Sequence, residues 1–280
     1  MTDKKKLSKK IIALIVCGAI IATLLLACLG AEIAFLVEDN KERWHPSYDM
    51  VDISDILKKD GLEDSDYQTL YEQTGLTKVG VDRALARGQY GINRILQIQK
   101  DYFEDYKIEH VKLAPFTCMD FLEKAISPVF LKDGDIVVSA CTTISGWRLG
   151  HSGIITDGPG ERVLHALTYG TESHTDNVSY FTATNAFIIL EVDTDRQNEV
   201  VEYAKENLFG IPYEGTAGLF TDKNKIKKTQ CAHLVWYAYK QIGIDLDSTG
   251  GPIVTPKDIA NSPHVKVVQI YGFDPEKLWN

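Results

Sequence analysis

Hydrophobic positions along this chain change period three times. Residues 11–31 carry no charge, and 33–37 extend the apolar run past Glu32. About 20 such residues cross a bilayer as a helix, and a run without a polar face does not suit a helix half-sunk in a globular core. After a short polar tether, the apolar positions take a helical period. Ile53, Ile56 and Leu57 form a stripe ended by Gly61, and 62–74 carries Tyr67, Leu70 and Tyr71 up to Gly75. Two more amphipathic runs cover 79–86 and 90–103, the second with Ile92, Ile95, Leu96 and Ile98. The segment 51–108 therefore predicts three or four short helices whose stripes serve packing.

From Gly134 the pattern is that of strands. Residues 135–139, 151–156, 162–166 and 186–192 are short β-rich runs, and Asp157-Gly158-Pro159-Gly160 makes the second and third a hairpin. Residues 196–208 return to the helical period with Val200, Val201 and Ala204 inward. Another helix starts near Cys231 with Leu234, Val235, Ala238 and Ile242, and 265–271 is a last strand. This order predicts an α+β fold with a mainly antiparallel sheet. The chain divides into a basic N-terminus (1–10), a transmembrane helix or uncleaved signal anchor (11–37), a tether and helical segment (38–125) and a second domain (126–280).

Charge adds orientation. The 280 residues carry a formal net charge of −9. Residues 1–31 hold five lysines against one aspartate, +4, so the remainder carries −13. An acidic domain repels phosphates, which excludes a general nucleic-acid binder. The lysines ahead of the apolar run place the N-terminus in the cytoplasm and the body of the protein outside the cell membrane, as a single-pass protein. Leu25-Leu26-Ala27-Cys28 offers lipidation at Cys28 as the rival. Cys118, Cys141 and Cys231 lie in the outer part. A Cys118–Cys141 bridge would leave Cys231 free, and spacing does not decide it.

Cys231 sits in or beside the first turn of its helix, where unpaired N–H groups and the helix dipole favour a thiolate. A nucleophile there needs a base, and the base needs an orienting group. His151, between Gly150 and Ser152-Gly153, is the candidate base. His165, interrupting Val163-Leu164-His165-Ala166 on the neighbouring strand, is the candidate orienter. Asp135 is expected to cap a turn, and His45, His110, His174 and His264 to lie at the surface. His233 is expected at a pocket rim or in solvent. A zinc site from His151, His165 and Cys231 is the metal alternative, although no carboxylate stands by to support it. No metal and no cofactor are expected.

The series Gly134-Asp135-Ile136, Gly150-His151-Ser152-Gly153-Ile154, Leu164-His165-Ala166 and Gln230-Cys231-Ala232-His233-Leu234-Val235-Trp236 resembles the permuted papain-like amidases. These are the YiiX-like relatives of the NlpC-type cell-wall cysteine peptidases. The resemblance covers about 130–272. It implies a circularly permuted papain-like domain in which the histidine strand precedes the cysteine helix. It implies Cys231 as nucleophile, His151 as base and His165 as third residue, a slot where many members have Glu. It also gives Tyr213 as an oxyanion and substrate contact, alongside the bland reading of a core tyrosine. Ala232-His233 departs from the usual Ser-Glu or Ser-His.

The function expected is a membrane-anchored extracytoplasmic cysteine hydrolase. It would act on an amide of peptidoglycan peptides or on an acyl-ester or acyl-amide bond, with a cell-wall peptide or acyl lipid as substrate. The alternatives are a papain-like binding module at the cell envelope without turnover, and an interaction protein built on 51–108.

Overall fold

The computed structural model describes residues 9–39, 44–114, 117–144, 147–277 and 279. The lysines at 4–6 lie outside this set. The N-terminal apolar run is one helix, α1 (Lys9–Asp39), of which Lys9–Gly30 is long and apolar enough to span a membrane.

The helical period of the next segment is realised as α2 (Asp64–Thr74), α3 (Lys78–Leu85) and α4 (Gln89–Phe103). Gly75 ends α2 in the left-handed conformation, φ 69°, which only glycine adopts without strain. The Ile53 stripe closes into a short 3-10 turn, Ile56–Lys58. The last part of 38–125 departs from the helical expectation. It is strand: β1 (Ile108–Ala114) and β2 (Thr117–Leu122), antiparallel. With β4 (Thr142–Ile144) and β5 (Trp147–Arg148) they form a four-stranded sheet in the order β1-β2-β4-β5.

The central sheet uses the remaining strands: β3 (Ile136–Ser139), β6 (His151–Asp157), β7 (Arg162–His165), β8 (His174–Asn177), β9 (Phe187–Val192) and β10 (Val265–Tyr271). Their order is β10-β9-β3-β6-β7-β8, with every pairing antiparallel. The helices between are α5 (Ser179–Thr182), α6 (Gln197–Asn207), α7 (Cys231–Lys240) and α8 (Pro256–Ala260). The fold is thus α+β with antiparallel sheets.

Both faces of the central sheet are covered. Ile136, Val138, Ile154, Leu164, Ile188 and Leu190 join Val200, Ala204, Leu234 and Val235 in one core, under α6 and α7. Val137, Ile155, Val163 and Ile189 join Leu70, Val81, Ala84, Ile95 and Ile98 in another, under α2–α4. Strands buried on both faces read as continuous apolar runs, which explains why strict alternation is absent from 136–138 and 187–190. The segment 51–108 therefore packs directly on the sheet. Arg83 of α3 adds a polar tie, donating to Asp135 at 2.5 Å and to Glu191 of β9.

Candidate active site

Gly150 precedes β6 with φ 75°, and a Cβ there would stand 2.3 Å from the Ser139 carbonyl oxygen. Glycine thus lets β6 start against β3, and His151 is its first residue. His151 is buried, and its ring stacks on Phe181 with centroids 4.9 Å apart. Its Nε2 lies 2.8 Å from Nδ1 of His165, the last residue of β7. His165 Nε2 in turn lies 3.0 Å from Oδ2 of Asp176 on β8.

The protons in this chain can be placed. Burial, reinforced by His165 and His174, holds His151 well below the ordinary histidine value. Burial also lowers His165 to about 4, against the opposing pull of Asp176. Burial raises the Asp176 carboxyl, but its two histidine partners outweigh that and leave it below the usual range. Both buried rings are neutral at neutral pH, and the carboxylate only accepts. His165 Nε2–H therefore donates to Asp176, which makes His165 Nδ1 an acceptor. His151 Nε2–H donates to it, and His151 Nδ1 keeps its lone pair. This is the protonation state a general base needs.

The β7–β8 register sets His165 opposite His174. His174 and Asp176, two residues apart on a strand, share a face. His174 Nε2 lies 3.2 Å from the same Oδ2, and its Nδ1 lies 2.7 Å from the Glu172 carbonyl oxygen. His174 is therefore part of the histidine cluster and not a bystander at the surface.

The thiol is held separately. Gln230 caps α7, accepting from Ala232 N–H at 2.7 Å and donating through Nε2 to the Val254 carbonyl. Cys231 Sγ donates to Gln230 Oε1 at 3.4 Å. Burial pushes the thiol up. The backbone N–H and hydroxyl of Ser152 and the N–H groups of Ala232 and Cys231 pull it down without overcoming burial. The helix-start argument for a resting thiolate is thus outweighed by desolvation. Among the described residues no hydrogen bond joins Cys231 to His151. Ser152, which follows His151 on β6, faces the sulfur, so strand alternation turns the His151 ring to the other face, where it stacks on Phe181.

Ser152 was not foreseen. Its hydroxyl is fully buried against the sulfur, whose thiolate form it favours, and among the described groups it has no other hydrogen-bond partner. Tyr213 lies close to Cys231, and burial with that neighbour raises its hydroxyl. Its ring meets Tyr169 edge-on at 5.2 Å. His151, Gln230 and Tyr213 open on one cavity of about 400 Å³, walled by Met119, Leu149, Leu167, Tyr169, Ile253 and Pro256.

Other sequence candidates fall elsewhere. His233 is 1% exposed, contrary to a rim position. Its Nε2 donates to the Lys223 carbonyl at 2.7 Å and its Nδ1 meets the Thr229 hydroxyl at 3.1 Å, as a satisfied core group. Asp135 does accept from the Lys132 N–H in its turn, but it is also the buried partner of Arg83. Cys118 and Cys141 are buried, and no disulfide joins them. The set His151, His165 and Cys231 does not come together around a common point, because the contact between the two rings is a hydrogen bond. Among the described residues, two other groups bring three metal-type ligands together: His110, Cys118 and Asp120, and His165, His174 and Asp176. In the first, Asp120 is also held by Arg148 at 3.1 Å and Asn185 at 3.0 Å.

Comparison of the chain with models of known protein families finds no match, and comparison with curated proteins finds none either.

Proposed function

We propose that this protein is a cysteine hydrolase of permuted papain-like type, with Cys231 as nucleophile and an Asp176–His165–His151 relay as its base. The observation that carries the reading is the relay itself. A chain of three groups fixes the tautomer of His151, which lines one cavity together with Gln230, the cap of the Cys231 helix. Such a chain orients the base and stabilises its charged form, the two services a nucleophile–base pair requires. The order of elements, with the histidine strand β6 ahead of the cysteine helix α7, agrees with the permuted arrangement.

In the resting enzyme the S–H rests on Gln230. A substrate carbonyl entering the cavity draws the sulfur off this contact, and catalytic hydrogen bonds commonly tighten at this stage. His151 Nδ1 takes the thiol proton as the S–C bond forms. His165 and Asp176 stabilise the imidazolium. The oxyanion meets the Cys231 N–H, the Tyr213 hydroxyl and the otherwise unpartnered Ser152 hydroxyl. His151 then gives its proton to the leaving amine or alcohol, and water attacks the thioester by the same route.

The largely apolar cavity favours an acyl chain over a strongly polar substrate. An amide in a peptidoglycan peptide is the second reading, favoured by Thr142, Thr168 and Thr216 on the same walls. With α1 as anchor and its basic end inside, the catalytic domain would work outside the cell membrane. The turnover-free alternative arose from His165 standing where relatives have Glu. Asp176 behind His165 supplies a carboxylate one step removed, which weakens that alternative.

The test is acylation of the full-length protein in detergent by p-nitrophenyl octanoate, followed by intact mass. An octanoyl adduct on Cys231, absent in Cys231→Ser and formed about 10²- to 10⁴-fold more slowly in His151→Ala, is expected. No adduct, or equal rates in wild type and His151→Ala, overturns the reading. Release of peptides from purified sacculi separates the second substrate class from the first.

A further inference from the structure

We propose that His165, His174 and Asp176 form a binding site for a divalent transition metal, Zn²⁺ by its ligand chemistry, and that the bound metal switches off the relay. The argument starts with His174. Its Nδ1 is 2.7 Å from the Glu172 carbonyl oxygen, so that nitrogen carries a proton. Its Nε2 faces Asp176 Oδ2 at 3.2 Å. A cation shared between them, a proton on Nε2 or a metal ion in its place, joins the two groups. A histidine anchored through Nδ1–H to a carbonyl, with Nε2 presented to a shared point, is the orientation that metal-binding imidazoles adopt.

The spacing suits a metal. One ligand atom from each of His165, His174 and Asp176 lies within 4.8 Å of the other two. Two of the separations are 3.0 and 3.2 Å. Tetrahedral bonds of 2.0–2.1 Å put ligand atoms about 3.3 Å apart. Two imidazoles and one carboxylate suit Zn²⁺ and its neighbours, not Mg²⁺ or Ca²⁺. His174 and Asp176 are 35% and 41% exposed, which gives a path from solvent and room for water as further ligand.

Binding reverses the proton order. A metal on His165 Nε2 displaces the proton there, which moves to His165 Nδ1. That N–H now donates to His151 Nε2, whose own proton moves to Nδ1. Neither ring gains or loses a proton overall, but His151 Nδ1 becomes N–H and has no lone pair for the thiol. The inhibitory half of the proposal rests on the catalytic reading above. The site itself does not.

The experiment uses full-length protein in detergent, stripped with EDTA and titrated with Co²⁺. Visible d–d bands saturating at one equivalent are expected, lost in His174→Gln and without thiolate-to-cobalt charge transfer. In the octanoyl-ester assay, one equivalent of Zn²⁺ should slow acylation of Cys231 at least 100-fold in wild type, with a ratio near one in His174→Gln. No Co²⁺ binding, binding untouched by His174→Gln, or a thiolate charge-transfer band overturns the site. Binding with an unchanged acylation rate overturns the switch. If the protein is not acylated at all, the Co²⁺ spectra still decide the site, so failure of the catalytic reading is told apart from failure of this one.

Discussion

Two polar assemblies are built into this fold, one on the α3 side of the central sheet and one at the β6-β7-β8 end. In the first, buried Arg83 donates to Asp135, Glu191 and the Phe130 carbonyl, Lys132 adds a second cation to Glu191, and each acid meets a donor. In the second, a single carboxylate oxygen of Asp176 faces two imidazole nitrogens, at 3.0 and 3.2 Å. Next to His151 in the chain, the Ser152 hydroxyl meets the Cys231 sulfur and among the described groups no other hydrogen-bond partner. The first assembly pairs each acid with a donor, with Arg83 Nε left over, and joins α3 to the sheet. The second is matched to something that arrives. Groups left poorly satisfied in a buried place cost stability, and are retained where they act on a ligand or a reacting atom.

That contrast predicts different failures. Arg83→Ala leaves Asp135 and Glu191 facing each other without their shared cation. It should cost about 3–5 kcal/mol in denaturant unfolding, because a buried charge is left uncompensated. A loss below about 1 kcal/mol would mean the tie between α3 and the sheet carries little. Asp176→Asn should do the reverse. The amide offers its N–H₂ as readily as its oxygen, so His165 is no longer held with its proton on Nε2. Acylation of Cys231 should fall by about 10²-fold, the lower end of what tautomer errors cost, with an unfolding midpoint close to wild type. Equal damage to stability and rate would make Asp176 a packing group.

The sequence showed the first half of the candidate site and hid the second. Cys231, His151 and His165 stand in or beside apolar runs whose period gives them away, and those runs are strands and a helix at nearly the expected bounds. β8 is His174-Thr175-Asp176-Asn177, with no apolar residue to mark a strand. Its pairing to β7 comes from tertiary register, which no local pattern encodes. One local signal was available: a His and an Asp two residues apart share a face if the segment is extended. The four-stranded sheet was missed because β4 and β5 are only three and two residues long. The thiol's resting state was misjudged for a similar reason. The helix start is visible in the sequence, whereas the burial that outweighs it is not.

Ser152 gives the finest test of the contrast. Its hydroxyl is buried with no described hydrogen-bond partner beyond the Cys231 sulfur, so a purely structural account makes it a defect, and Ser152→Ala should then be harmless to both stability and rate. The catalytic account separates the two. Removing a buried, poorly satisfied donor relieves a desolvation cost of about 1–3 kcal/mol, so unfolding should be unchanged or shifted in favour of the folded state. The same change removes one of three donors proposed for the oxyanion. The Cys231 N–H and Tyr213 remain, so acylation should slow about tenfold, less than the loss of a dedicated donor elsewhere. Cys231→Ser and His151→Ala control for the reaction itself. A protein that is more stable and slower places the hydroxyl among the reacting groups. One that is more stable and just as fast leaves the oxyanion to Tyr213 and the backbone, and Tyr213→Phe then becomes the variant that must lose rate.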